Sequence, residues 1–169
     1  MRQLLFLHGA GGFSEDGPLA DALGAELGAR VVLPRLPDDD MSYAAWAAVV
    51  RPHLDALEPH DVLVAHSFGA SVLLRVLGED GSSPERAALL AMPDWGPDGW
   101  DVAEYAYDGP PAGAVLTLHH CRDDEVVPFA HLSVHASRLP GARVVDHASG
   151  GHQFDGRVAE LAADLRTSR

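Results

Sequence analysis

The stretch VLVAHSFGA, residues 62–70, carries the pattern that decides how this chain folds. An apolar run suited to a buried strand leads into Ser67, and an Ala/Leu/Val-rich segment with helical spacing follows at once. A strand, a tight turn and a helix in this order hold a serine on a strained bend, with its hydroxyl exposed above the sheet. The positions two before and two after that serine crowd the neighbouring elements, so they favour small residues such as Ala65 and Gly69. Ser67 is therefore the candidate nucleophile, and the alternative is a serine that only caps the next helix.

An acidic turn and a histidine-containing turn follow two later strand-like runs. AVLTLHH (114–120) leads into CRDDEVVP (121–128), and ARVVDH (142–147) leads into SGGHQF (149–154). A serine becomes a good nucleophile when a base takes its proton, and the base works best when a carboxylate fixes its tautomer. In open parallel sheets such groups gather past the carboxyl ends of the strands, and sheet hydrolases carry them in the order Ser, acid, His. This order predicts His152 as the general base, rather than a surface loop histidine, and Asp123 or Asp124 as the orienting acid.

With these motifs the chain resembles the α/β-hydrolase superfamily, and within it the small serine hydrolases that include the retinoblastoma-binding hydrolase and its bacterial relatives. The matching segments are spread over residues 4–154: LHGAGG (7–12), LPD (36–38), AHSFG (65–69), DDEVVP (123–128) and GGHQF (150–154). Two positions depart from the family pattern. Ala65 replaces the first glycine around the serine, and Cys121 stands where H-G-x-x-D has its glycine. Both replacements are small, so the resemblance implies that activity is retained.

The resemblance also favours Asp124 over Asp123 as the acid, because His120-x-x-x-Asp124 and the following V-P match the family pattern. A serine hydrolase further needs two backbone N–H groups aimed at the oxygen that becomes negative. We predict that one belongs to Phe68, directly after the nucleophile at a helix amino terminus.

The turn after the first strand supplies the second predicted donor. Its amide is that of Ala10, with Gly11 as the next choice, and the glycines let the backbone approach a substrate closely. Gly11 is for that reason also a predicted substrate-binding residue. The turn lacks the G-x-G-x-x-G spacing of dinucleotide sites, and no cofactor is expected.

Strand-like and helix-like segments alternate along the chain. The predicted strands lie near 3–8, 29–34, 61–66, 86–92, 114–120 and 142–147, and the predicted helices near 18–28, 42–57, 68–78, 129–139 and 156–167. Continuous apolar strands suit a parallel sheet covered on both faces, joined by right-handed crossovers. We therefore expect one α/β domain over residues 1–169, a three-layer α/β/α sandwich. The resemblance implies a six-stranded parallel sheet in the order 2-1-3-4-5-6, a minimal core without a large cap and without two leading antiparallel strands.

Residues 94–113 interrupt the alternation with two Trp, two Tyr and several Gly and Pro. Gly and Pro forbid a long helix there. Related hydrolases often carry a cap domain at this point, for which the segment is too short, so we expect a short lid or pocket wall. Trp95 is the candidate substrate-binding residue of this segment, and the alternative is that its aromatic side chains only cover the sheet edge.

The composition bounds the partners. The chain has 169 residues with a formal net charge of −13, which argues against nucleic acid and anionic membranes. It contains no Lys, Ile or Asn, which suits a GC-rich bacterial genome. Only one cysteine is present, no signal sequence is recognised at the amino terminus, and no apolar run is long enough to span a membrane, so we expect a cytoplasmic protein.

The ten histidines include the pairs His131/His135 and His119/His120, but H-E-x-x-H is absent and no metal is expected. His66 is predicted to point away from Ser67, and Cys121 to be a buried small residue. These observations predict a serine hydrolase for small carboxylic esters, of unknown oligomeric state. Two alternatives stay open: an amidase or peptidase with the same groups, and a non-catalytic interaction module on this scaffold.

Overall fold

Six parallel strands form the centre of the computed structural model, which describes residues 1–80, 86–109, 111 and 113–167. The strands are β1 (Gln3–Leu7), β2 (Arg30–Val32), β3 (Val62–His66), β4 (Arg86–Leu90), β5 (Val115–Cys121) and β6 (Arg143–His147). Their order in the sheet is β2-β1-β3-β4-β5-β6. The predicted sheet order and parallel pairing are therefore confirmed.

Helices cover both faces of the sheet. They are α1 (Gly17–Leu27), α2 (Tyr43–Asp55), α3 (Phe68–Asp80), α4 (Ala130–Arg138) and α5 (Val158–Thr167). Helices α1 and α5 pack together on one face, and α2, α3 and α4 contribute to the apolar cluster on the other. The three-layer α/β/α arrangement follows from these two clusters.

Strand β1 shows why the sheet is buried on both sides. Leu4 and Phe6 enter the cluster under α1 and α5, whereas Leu5 and Leu7 enter the cluster under α2 and α3. Successive side chains of a strand point to opposite faces, so a continuous apolar run supplies both cores at once. This is the physical reason why the apolar runs of the sequence predicted the strands well.

The segment between β4 and β5 holds one short 3₁₀ helix, Ala103–Tyr105, among its described residues. The predicted lid, residues 94–113, includes Pro110 and Ala112, which lie outside the described residues. In the part of the chain that the structure describes, no helix has the length and apolarity needed to cross a membrane.

Candidate active site

Ser67 occupies a sharp turn between β3 and α3. Its φ of 52° lies in the left-handed region, which a non-glycine residue adopts only when its surroundings enforce it. The surroundings do so on two sides. The Ser67 amide donates to the carbonyl of Leu90 at 2.8 Å, and a Cβ placed on Gly9 would lie 2.9 Å from Ser67 Cβ. Backbone from two neighbouring strands thus holds the serine on its bend.

The two small positions around Ser67 are constrained to different degrees. A Cβ on Gly69 would lie 2.4 Å from the carbonyl oxygen of His8 and 2.8 Å from that of Leu7, so α3 meets the end of β1 directly. Ala65 is fully buried and is accommodated with its methyl group. Glycine is therefore required at 69 but not at 65.

His152 and Asp124 form a close pair past the ends of β6 and β5. His152 Nδ1 lies 2.9 Å from one carboxylate oxygen of Asp124 and 3.1 Å from the other. The Asp124 side chain is fully buried, and it also accepts hydrogen bonds from the amides of Val126 and Val127, both at 2.8 Å. His120 Nε2, 3.2 Å away, completes its surroundings.

These contacts fix the charge of the acid. Burial alone would raise the pKa of Asp124, but hydrogen bonds from His120, His152 and two amides hold it well below its usual range. A carboxylate only accepts, so in the neutral imidazole of His152 the proton lies on Nδ1 and the lone pair on Nε2. The pair has the proton arrangement that a general base needs.

Asp123, the alternative acid, holds the backbone beside the base. Its carboxylate accepts from the amides of Gly150, at 3.2 Å, and Gly151, at 2.9 Å. Glu125 accepts from the His152 amide at 3.3 Å. Asp123 and Glu125 thus bind backbone amides of the histidine loop, and of the three acidic residues only Asp124 is hydrogen-bonded to the imidazole.

His152 packs against the residue that precedes Ser67. The His152 ring centroid is 4.5 Å from that of His66, the residue before Ser67. Within the described residues, Ser67 Oγ and His152 share no hydrogen bond. Such bonds are often long in unliganded enzymes and shorten when the substrate binds.

The turn after β1 leaves one amide open. The Gly9 amide donates to Asp16 at 2.8 Å, the Gly11 amide to Asp38 at 2.7 Å, and the Gly12 amide to the Gly9 carbonyl at 2.9 Å. Among residues 9–12, Ala10 is the one whose amide has no partner in the described part of the chain.

Phe68 offers a second open amide, because it is the first residue of α3 and the first amides of a helix have no intrahelical acceptor. Ala10 and Phe68 are the two predicted oxyanion donors. Gly11, the next choice, has its amide occupied by a carboxylate.

Aromatic side chains of the 94–113 segment pack against Phe68, the residue after Ser67. The Trp95 ring lies 5.7 Å from that of Phe68 and 4.9 Å from those of Trp100 and Tyr105. Trp95 Nε1 donates to Ser71 Oγ at 2.8 Å, which fixes the ring against α3. The described part of the segment therefore covers the first turns of α3 with aromatic rings.

His119, His120 and Cys121 are buried and surrounded by other protein groups. His119 and His120 point to opposite faces of β5, toward Asp164 and Val127 respectively. Among the described residues, no group of three or more His, Cys, Asp or Glu side chains is arranged to hold a metal. Cys121 is buried, and burial together with neighbouring carboxylates raises the pKa of its thiol to about 12.

Sequence reasoning missed Asp16. This buried carboxylate contacts His66 Nδ1 at 2.9 Å, in addition to the Gly9 amide. Strand alternation predicted that His66 points away from Ser67, but it did not identify the residue that contacts the His66 ring. An acid just before the Gly-Pro start of α1 was the available signal, and it is a weak one.

The chain is similar to known hydrolases in sequence and in structure. A family model described as serine hydrolase matches residues 24–155. The ydeN gene product of B. subtilis is 19% identical with a TM-score of 0.76, over 99% of this chain and 100% of that one. Est1E from Butyrivibrio proteoclasticus is 13% identical with a TM-score of 0.74, over 97% of this chain and 85% of that one.

A mouse protein extends the likeness. Alpha/beta hydrolase domain-containing protein 10 is 15% identical with a TM-score of 0.72, over 96% of this chain and 87% of that one. No curated protein sequence matches the chain. At these identities the structural neighbours show the α/β-hydrolase fold alone. The family model shows the class of protein, a serine hydrolase.

Proposed function

The chain belongs to the serine hydrolase family, and on that premise we propose that it cleaves small carboxylic esters with Ser67, His152 and Asp124. The observation that carries the proposal is the 2.9 Å contact between His152 Nδ1 and the buried Asp124 carboxylate, and a serine held at positive φ on the turn after β3 supports it. The open amides of Ala10 and Phe68 support it.

In the proposed reaction, Ser67 Oγ attacks the ester carbonyl carbon while His152 Nε2 takes the hydroxyl proton. The carbonyl oxygen becomes an anion that the Ala10 and Phe68 amides stabilise, and one such donor is worth about 2.7–4 kcal/mol. His152 then gives the proton to the departing alcohol, which leaves an acyl-enzyme. Water, activated by the same imidazole, releases the carboxylic acid.

Asp124 acts through His152. Its carboxylate keeps the proton of the neutral imidazole on Nδ1, so the lone pair faces the serine, and it stabilises the imidazolium that forms during attack. The hydrogen bonds from His120 and from the Val126 and Val127 amides keep this carboxylate anionic and stationary.

We further propose that the described part of residues 94–113 lines the acyl side of the site. The aromatic wall of Trp95, Trp100 and Tyr105 adjoins Phe68, and such rings favour short or aryl acyl groups over long chains. Gly11, exposed beside Ala10, is the proposed backbone contact on the opposite side.

Fluorophosphonate labelling tests the proposal directly, because the reagent forms a stable adduct only with an activated serine. Intact-mass measurement of the wild type is expected to give one adduct, and Ser67→Ala is expected to give none. Short acyl p-nitrophenyl esters then test turnover with the same two proteins. A folded wild type that takes up no reagent would contradict the proposal and favour the interaction-module alternative.

A further inference from the structure

A second histidine–carboxylate pair lies beneath the candidate active site. Asp16 and His66 are each 1% exposed, and Asp16 Oδ2 lies 2.9 Å from His66 Nδ1. The other ring nitrogen, His66 Nε2, lies 2.8 Å from the backbone carbonyl oxygen of His152. The pair therefore spans from the start of α1 to the residue that carries the proposed base.

The partners of His66 hold its ring on both sides. Nε2 faces the His152 carbonyl and Nδ1 faces the Asp16 carboxylate, and both of these groups are acceptors. Burial alone would raise the pKa of Asp16, but hydrogen bonding and charge from His66, with further bonds from Gly9 and Gln153, lower it. Asp16 is therefore held as a carboxylate by three neighbouring groups.

The same carboxylate holds two loops of the candidate site. Asp16 accepts from the Gly9 amide at 2.8 Å, in the turn that carries the open Ala10 amide. Its other oxygen accepts from Gln153 Nε2 at 3.0 Å, directly after the base. A Cβ on Gly12 would lie 2.8 Å from this carboxylate, so the turn is wrapped closely around it.

We propose that Asp16 and His66 are positioning residues that set the distance between the oxyanion turn and the loop of the general base, an inference that rests on the proposed hydrolase function. The oxyanion turn is bonded to Asp16 through the Gly9 amide. The loop of the general base is bonded to the pair through Gln153 Nε2 and the His152 carbonyl. A shift of about 1 Å between catalytic groups can lower turnover about 10²-fold, so a rigid connection between the loops matters for rate.

Two variants test the inference. His66→Gln keeps a donor toward the His152 carbonyl but loses the contact with Asp16. Asp16→Asn leaves one acceptor oxygen where the carboxylate offers separate oxygens to Gly9 and Gln153. For p-nitrophenyl acetate we expect kcat to fall about 10- to 100-fold in both, with KM changed less than about threefold.

His135→Gln is the matched control. His135 is also buried and hydrogen-bonded at both nitrogens, but it contacts Met92 and Tyr107 and neither loop. We expect it to keep the wild-type kcat and KM. If His66→Gln does not fold, Asp16→Asn carries the test through its kcat and its labelling rate.

The outcomes separate the inference from the function on which it rests. Wild type that is not labelled by fluorophosphonate contradicts the proposed hydrolase. Wild type that is labelled, together with folded His66→Gln and Asp16→Asn that keep the wild-type kcat, overturns the positioning role alone.

Discussion

Two histidine–carboxylate pairs lie side by side in this protein and differ at one nitrogen. Asp124–His152 and Asp16–His66 have the same 2.9 Å contact between Nδ1 and a buried carboxylate. His66 Nε2 is bonded to a carbonyl, whereas His152 Nε2 has no partner among the described residues. An imidazole with one open nitrogen can accept a proton, and an imidazole with two occupied nitrogens can only hold its neighbours in place. The chemistry of such a pair is decided by its second nitrogen.

The largest expected effect comes from removing the open nitrogen. His152→Ala is expected to lower kcat for p-nitrophenyl acetate about 10⁵- to 10⁶-fold, because the serine loses its base. The loss in His66→Gln, at most about 10²-fold, is far smaller because that residue only positions groups. Parallel turnover assays on the two folded variants measure the ratio. Equal losses would mean that the two histidines do not differ in role.

The next effect separates the neighbouring acids. Asp124→Asn is expected to lower kcat about 10⁴-fold, since the amide no longer fixes the imidazole tautomer. Asp123→Asn keeps one acceptor oxygen for the Gly150 and Gly151 amides, and a loss of about tenfold or less is expected. Steady-state kinetics with one ester compares them, and circular dichroism checks that both are folded. A larger loss in Asp123→Asn would identify Asp123, and not Asp124, as the orienting acid.

The smallest effect concerns a histidine that contacts no carboxylate. Burial lowers the pKa of His135 to about 4, and its nitrogens meet the Met92 carbonyl and the Tyr107 hydroxyl. An unfolded histidine has a pKa of about 6.5, so the unfolded state binds more protons as pH falls from there toward 4. The stabilisation is complete above about pH 6.5 and is lost below it.

His135→Gln should remove that contribution. We expect the difference in the free energy of unfolding between pH 8 and pH 5 to shrink by about 2 kcal/mol in this variant. Urea denaturation at both pH values provides the measurement. An unchanged difference would show that burial does not lower the pKa of His135 in the folded state.

The sequence was sufficient for the fold, and it placed Asp124 and His152 in one predicted site for the same physical reason. Parallel strands buried on both faces read as apolar runs, and the residues after their carboxyl ends meet at one edge of the sheet. Ser67, Asp124 and His152 each follow such a run. Element ends were less accurate: the helix predicted over 42–57 ends at Asp55, close after Pro52.

The pair below the site could not be predicted in the same way. Strand alternation determines the face toward which His66 points, but its partner Asp16 lies 50 residues earlier, before a different element. His120, which contacts Asp124 from β5, was noticed for its spacing and not for that contact. Side chains that join loops across a fold leave no periodic signal, because their geometry depends on how the helices pack.

The close approach at Gly69 sets unequal limits on how the chain around the serine can diverge. Any side chain at 69 would push α3 off the end of β1, because a Cβ there meets two carbonyl oxygens. The other small position already holds Ala65 without loss of burial. Small residues other than glycine can therefore replace the first glycine of a Gly-x-Ser-x-Gly pattern. The second glycine cannot be replaced in this geometry.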